Sequence, residues 1–303
     1  MKLKYGIVVA GIIALAAFGA WALPDDNHRG HDRDWDDTDY IKDEQSLEAD
    51  LNGINLVRMR NVNGSIVAKI GGSNTLSLLV KEKVKESNKI DAQELIAEAK
   101  VISYRQGSTL FVEIDYGRFK DHKYKGHYQS SYEVTLPKRL NIDFETSNGK
   151  ISAPAFDGDV KLETTNGSVH SKGAGGKANL ETTNGSIYIA MVSGSVEAET
   201  TNGSIEITSI AGPVTAETTN GSIEIMLKDA LAGDVELSTT NGNIIFRPGP
   251  GSSYAVKADT SNGKVYASEA LEFNKRRNYA RGTIGGGKYK VTLDTTNGSI
   301  RIK

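Results

Sequence analysis

One dipeptide, Asn-Gly, recurs along this chain at a fixed interval, and that interval restricts the fold more than any other feature. Within the repeating pattern Asn stands before Gly at 63, 148, 166, 184, 202, 220, 241, 262 and 297. From Asn148 to Asn220 the spacing is 18 residues four times running; it then becomes 21, 21 and 35. The flanking text repeats too, as Glu-Thr-Thr-Asn-Gly-Ser-Ile at 181–187, 199–205 and 217–223. A second mark, Gly158, Gly176, Gly194, Gly212 and then Gly233, keeps the same beat. Self-similarity at one period is the mark of a stacked repeat architecture.

Alignment on the Asn gives each column a role. Six residues before it stand Ile142, Val160, Ala178, Val196, Val214, Val235, Val256 and Val291. Four before it stand Phe144, Leu162, Leu180, Ala198, Ala216, Leu237, Ala258 and Leu293. Three after it stand Ile151, Val169, Ile187, Ile205, Ile223, Ile244, Val265 and Ile300, and five after it mostly Ile, Phe or Ala. Apolar and polar residues thus alternate on both sides of the turn, which is strand periodicity. Each unit reads as strand, Asn-Gly turn, strand and looser link.

Two architectures fit. In a parallel β-solenoid each unit is one coil, and like columns stack about 4.8 Å apart. Asn148, Asn166, Asn184, Asn202, Asn220, Asn241, Asn262 and Asn297 then form a turn ladder of side-chain amides. Gly after the Asn supplies the positive φ of a sharp corner. In the rival, each Asn-Gly closes an antiparallel hairpin of a meander. Column identity favours the solenoid, because a meander needs alternation within strands but not the same residue at one station of every unit. A membrane barrel is excluded, since Glu, Thr and Ser fill the columns that would meet lipid.

The pattern resembles the bacterial putative-adhesin β-strand-repeat family, an exported group of unknown function. The motif is a strand ending in Pro, a short link, then G-x-V-x-x-x-T-x-N-G-x-I repeats. It is carried by Tyr132 to Pro137, Asn141 to Ile151, Gly158 to Val169 and onward, over about residues 50–303. The resemblance implies an all-β, single-stranded parallel β-helix outside the cytoplasm. It implies no catalytic residue and no cofactor.

The ends differ in composition. Residues 1–22 carry Lys2 and Lys4, an apolar run and Ala20-Trp21-Ala22, which read as an export signal with Leu23 as mature start. The alternative is an uncleaved anchor. No later stretch is apolar enough to span a membrane. Residues 23–47 are rich in Asp, with His28 and His31, and read as an acidic disordered linker. Residues 48–303 form the solenoid domain, with irregular coils over 48–140 and regular repeats over 141–303. A short helix is expected over Asp91–Ala99, and strands over Val101–Tyr104 and Thr109–Tyr116. The chain ends at Ile302-Lys303 just after the last turn, so the last coil is expected to leave an open edge.

Candidate chemistry is sparse. Cys is absent, which removes disulfides, thiolate metal sites and Cys nucleophiles. The formal net charge of -2 gives no reason to expect nucleic acid. The strongest candidate binding face is the column Glu145, Glu163, Glu181, Glu199 and Glu217, continued by Asp259 and Asp294. Such a strip could hold Ca²⁺, though a solvated face is the simpler reading because no calcium-repeat motif is present. Exposed Thr165, Thr183, Thr201, Thr219 and Thr240 form one hydroxyl rank; its charged neighbours argue against ice binding. Two basic loops, Arg118–His127 and the stretch holding Lys275, Arg276, Arg277 and Arg281, would form a docking surface only if they share a face. His170 lies in an ordinary outward column, and Gly285-Gly286-Gly287 reads as a turn. No nucleophile elbow, phosphate loop or His-Glu helix motif occurs.

These readings converge on an exported, non-enzymatic β-solenoid of the periplasm, cell surface or extracellular space. It would serve adhesion or scaffolding. The alternative is a carbohydrate- or cation-binding envelope protein, with a polysaccharide-active enzyme behind it. The partner stays open between envelope polysaccharide, a surface protein and a second copy of the chain.

Overall fold

The computed structural model describes residues 40–72, 74–85, 89–119, 128–267, 271–274 and 276–303. The expected export signal, the linker up to residue 39, and residues 120–127 and 275 of the basic loops lie outside the described residues.

The N-terminal part contains β1 (Tyr40–Asp50), β2 (Leu56–Asn63), β3 (Ile66–Gly71), β4 (Thr75–Lys85), helix α1 (Lys89–Glu98), β5 (Lys100–Gln106), β6 (Thr109–Asp115) and β7 (Tyr128–Pro137). Six regular units follow as strand pairs. They are β8 and β9 (Asn141–Asn148, Ile151–Ala153), β10 and β11 (Val160–Asn166, Val169–Ser171), and β12 and β13 (Ala178–Asn184, Ile187–Val192). Next come β14 and β15 (Val196–Asn202, Ile205–Ile210), β16 and β17 (Val214–Asn220, Ile223–Met226), and β18 and β19 (Val235–Asn241, Ile244–Arg247). The chain closes with β20 (Tyr254–Thr260), β21 (Val265–Tyr266), β22 (Glu272–Phe273), β23 (Tyr279–Ile284), β24 (Tyr289–Asn297) and β25 (Ile300–Ile302).

Within a unit the Asn ends the first strand, and Gly with one further residue, most often Ser, leads into the second. First strands join one 13-stranded sheet and second strands a 12-stranded sheet. Neighbouring units pair in parallel and in register, so Glu163 lies between Glu145 and Glu181, and Asn166 between Asn148 and Asn184. A meander would pair the two strands flanking each Asn-Gly with one another; here they enter different sheets. The fold is the all-β parallel solenoid. The four apolar columns point between the sheets, and every residue in them is buried except Ala267 and Ile302 at the C-terminal end. One apolar core runs from Leu47 to Ile300.

The corner is where rungs lock together. Each Asn donates from Nδ2 to the Oδ1 of its neighbour: Asn148 to Asn63 (2.7 Å), Asn166 to Asn148 (2.8 Å), and so on through Asn220. One column inward, Thr146, Thr164, Thr182, Thr200, Thr218, Thr239, Thr260 and Thr295 are all buried. Their hydroxyls donate to the carbonyl of the adjacent rung's Asn-Gly glycine, as in Thr200 Oγ1 to Gly185 O at 3.0 Å. The glycines serve close approach rather than turning. Positive φ occurs at Gly64 (139°) and at Gly167 (158°, near extended), and at none of the others after a ladder Asn. A Cβ on Gly203 would lie 1.9 Å from the Gly185 carbonyl oxygen. The expected left-handed corner is thus corrected: backbones stack too tightly for any side chain at this station.

Both ends depart from a simple stack. β1 begins at Tyr40, inside the segment read as linker, and pairs antiparallel with β4 along its whole length. Charged residues mask this strand in the sequence, yet its inward residues Gln45 and Leu47 are buried. At the other end, β24 lies between β18 and β20, and β25 between β19 and β21. The final unit is therefore an inner rung. The expectation of an open edge at the chain's C-terminus is overturned, because the 35-residue excursion after Asn262 returns the chain one rung inward. β20 instead carries the antiparallel β23, which carries β22.

The N-terminal cap holds a buried carboxyl. Glu82 on β4 is 2% exposed. Its carboxylate accepts from the Tyr128 hydroxyl and from Gln45 Nε2 (3.0 Å to each oxygen). Gln45 in turn donates to the Ala99 carbonyl at 2.7 Å and accepts from the Val101 amide at 3.0 Å. Loss of solvent pushes the Glu82 carboxyl up to about 7, aided by Asp43 and opposed by the Tyr128 and Gln45 hydrogen bonds and by Lys100. The same burial, with Glu82 nearby, pushes the Tyr116 phenol up to about 12.

Two tests follow from this packing. Thr200→Val keeps shape but removes one buried hydrogen bond, and should cost about 1 kcal/mol in denaturant unfolding. Thr201→Val, one residue on and exposed, should stay within about 0.5 kcal/mol; equal effects would contradict the buried ladder. For Glu82, the unfolded chain releases its proton near the ordinary 4.5, while the folded chain keeps it until about 7. Stability therefore falls as pH rises through that window, by at most about 3 kcal/mol. Glu82→Gln should remove that fall, and identical pH slopes for the two proteins would refute the assignment.

Candidate functional site

The outward side of the 13-stranded sheet is built from the polar positions that alternate with the buried columns. Glu145 and Glu163 are half-buried there, while Glu181, Glu199 and Glu217 are exposed. Parallel register places these five carboxylates in one row across successive rungs. Beyond Glu217 the row continues through Ser238, Asp294 and Asp259, in that spatial order. The exposed Thr165, Thr183, Thr201, Thr219 and Thr240 form a second row beside it.

Charge balance differs along the row. Arg60 on β2 pairs with Glu145, and Lys161 pairs with Glu163 at 2.8 Å. Arg58 donates from Nε to Asp143 Oδ2 at 2.7 Å, so the basic β2 neutralises the acidic rung beside it. Glu181, Glu199 and Glu217 make no ion pair among the described residues. Near the other end, burial raises the Asp294 carboxyl; Lys257 opposes the rise, and Asp259 and Glu236 add to it. Shallow grooves run between the Glu and Thr rows, one from Glu145 and Ser147 to Glu181 and Thr183, another over Ser238, Thr240, Asp294 and Asp259.

The chemistry available is hydrogen bonding at a fixed period. Carboxylates accept, hydroxyls donate or accept, and both recur at about 4.8 Å per rung. Among the described residues no three His, Asp or Glu side chains converge to hold a metal ion. A divalent cation on this face would meet adjacent glutamates in pairs, short of the six or so oxygens that Ca²⁺ takes.

The other sequence candidates are dispersed. His170 faces outward on the opposite sheet, 6.0 Å from the Tyr188 ring. Partial burial and the Lys150 charge hold its imidazole below the ordinary value. The outward column there is mixed, with Glu206, Glu224 paired to Arg247, and Arg301 over the Tyr266 ring at 5.3 Å. The strands flanking the first basic loop, β6 and β7, lie at one end of the stack, and β23, which holds Arg281, lies at the other. Arg281 is spent on Glu272 at 3.1 Å.

Sequence reasoning missed the buried Thr column and the Glu82 network. The Thr column was within reach: alternation through the positions six and four before the Asn puts the position two before it inside as well. The Glu82 network joins residues 37 to 56 apart in sequence, and no local pattern announces it.

No helix among the described residues is long and apolar enough to cross a membrane. None of the curated proteins matches the chain. Solved structures with related shapes include a putative adhesin from Bacteroides fragilis, at 13% identity and a TM-score of 0.47, covering 86% of this chain and 97% of that one. Another, from Parabacteroides merdae, has 12% identity and a TM-score of 0.40, covering 88% and 97%. A putative lipid binding protein from Parabacteroides distasonis has 12% identity and a TM-score of 0.36, covering 86% and 96%. These likenesses are too distant to transfer a ligand or a partner. The family model described as Toastrack DUF4097 matches residues 73–303, most of the chain, and the protein belongs to that family.

Proposed function

We propose that this protein is an exported, non-enzymatic solenoid that presents its Glu and Thr rows as a rigid contact surface at the cell envelope. The role is adhesion or assembly. The residues over 1–22 would direct export, and the acidic stretch after them would act as spacer.

The observation that supports this reading is repetition. Two outward columns of this sheet carry like residues from rung to rung, Glu in five successive rungs and Ser or Thr beside it, while the third, Asp143, Lys161, Asn179, Glu197 and Thr215, is mixed. A polysaccharide-active enzyme needs unlike groups gathered in one cleft, such as a paired acid and base flanking the scissile bond. A periodic row suits a periodic or extended partner, since weak contacts repeated at fixed spacing add up. A second reading, binding of a carbohydrate or cation, uses the same face and is favoured by the grooves between the carboxylate and hydroxyl rows.

Binding of the chain from Leu23 onward to an array of envelope polysaccharides, with and without Ca²⁺, tests this. The triple variant Glu181→Gln, Glu199→Gln, Glu217→Gln should lose about tenfold in affinity, as three weak exposed contacts in series would give. Binding that survives the triple change unaltered would remove the Glu row as the contact surface. Shortening of any polymer on the array would overturn the non-enzymatic reading.

A further inference from the structure

Asn-Gly is the dipeptide most open to self-modification, because glycine leaves its own amide nitrogen unshielded. In that reaction the glycine nitrogen gives up its proton and attacks the Asn Cγ. A five-membered succinimide forms and the side-chain nitrogen leaves as ammonia. Water then opens the ring to aspartate or isoaspartate. The attack needs a glycine N–H that is not donating elsewhere, a free carboxamide, and a backbone able to leave the extended conformation.

The ladder withholds all three at most rungs. Seven of the nine ladder Asn-Gly glycines donate their N–H to the next rung's Asn carbonyl, from Gly64 to Asn148 O (2.7 Å) through Gly242 to Asn297 O (3.0 Å). The carboxamides of Asn148 through Asn241 both donate to one neighbour and accept from the other. Each of these asparagines is the last residue of a strand.

Asn262 is held by fewer bonds, although its own N–H donates to the Thr296 carbonyl at 2.8 Å. It is the outermost asparagine of the ladder at the C-terminal end, donating to Asn297 Oδ1 at 2.8 Å. Its Oδ1 accepts from no residue among those described, and Gly263 N–H donates to none. It is exposed and sits in a bend beyond β20, which stops at Thr260. Asn297 shares an undonated glycine N–H at Gly298, but its carboxamide is held on both sides and it ends β24. Asn52-Gly53, in a turn outside the ladder, also has its carboxamide held twice, to Asp50 (2.8 Å) and by Asn74 (2.6 Å).

We propose that Asn262-Gly263 is a modification site at which the folded protein deamidates itself, while the interior ladder is protected by its own hydrogen bonds. The product cannot donate to Asn297 Oδ1. It also adds a negative charge to a rung that already carries Asp259, so the end rung loosens with age.

The test is peptide mapping by mass spectrometry after timed incubation of the folded chain at mildly alkaline pH, with digestion under acidic conditions. The fragment 258–264 reports Asn262 alone. Two or three hydrogen bonds that must break before attack correspond to a rate ratio of about a hundredfold. Asn262 should therefore convert about a hundredfold faster than Asn166 through Asn220, with Asn297 and Asn52 between. In denaturant the ladder sites should converge. Conversion of interior asparagines as fast as Asn262 in the folded chain, no conversion at Asn262, or an unchanged ranking in denaturant would each overturn the proposal.

Discussion

Each rung of this solenoid is fastened to the next at the Asn-Gly corner. Three hydrogen bonds recur there: Asn to Asn through the side chains, Thr hydroxyl to Gly carbonyl, and Gly N–H to Asn carbonyl. At about 1 kcal/mol net apiece they form a modest local term, repeated along the stack. Their larger effect is on register. A unit shifted by one residue would turn buried Thr outward, break the amide ladder and drive a side chain into the neighbouring glycine carbonyl. The corner therefore holds the apolar columns in line, and the aligned columns build the core between the two sheets. The outer Glu and Thr rows are straight because the corner is.

A stack held this way is vulnerable at its ends, where the last rung offers unpaired backbone. The chain closes both ends with inserted sequence. Between Asn63 and Asn148 it leaves the stack, builds the antiparallel β4, helix α1, β5, β6 and β7, and returns beside β2 and β3. After Asn262 it makes a shorter excursion and returns inside β20 and β21. In both cases the irregular segment lies outside and the regular unit inside. The buried Glu82, tied to β1, β5 and β7 through Gln45, Val101 and Tyr128, belongs to this capping structure and not to the repetitive face.

Much of this was legible in the residues. The 18-residue beat and the apolar columns carry the parallel solenoid, the two strands per unit and the Glu row. The limits have physical causes. Thr164 and its equivalents are polar by type but inward by position, and residue type hid what alternation required. Tyr40–Leu47 carry enough charge to resemble a spacer, yet half of a strand's side chains can face water without loss, and only Gln45 and Leu47 needed shelter. Stacking order is non-local, and Asn297 fits the repeat equally well on either side of Asn262. One trace of it was present: the last unit keeps the full Thr-Thr-Asn-Gly-Ser-Ile text, whereas the unit at Asn262 reads Thr-Ser-Asn-Gly-Lys-Val. Terminal repeats are the atypical ones.

The absence of cysteine allows a direct measurement of that order. Thr240 and Thr296 lie between the paired positions Thr239–Thr295 and Asn241–Asn297, one rung apart, within disulfide reach. Thr240 and Ser261 are neighbours by sequence order but two rungs apart in the fold, about 10 Å, beyond that reach. Introduced as cysteine pairs under mild oxidation, the first pair should close rapidly and without loss of stability, and the second should stay reduced. Rapid closure of Thr240→Cys with Ser261→Cys, and none with Thr296→Cys, would contradict the stacking on which the whole account rests.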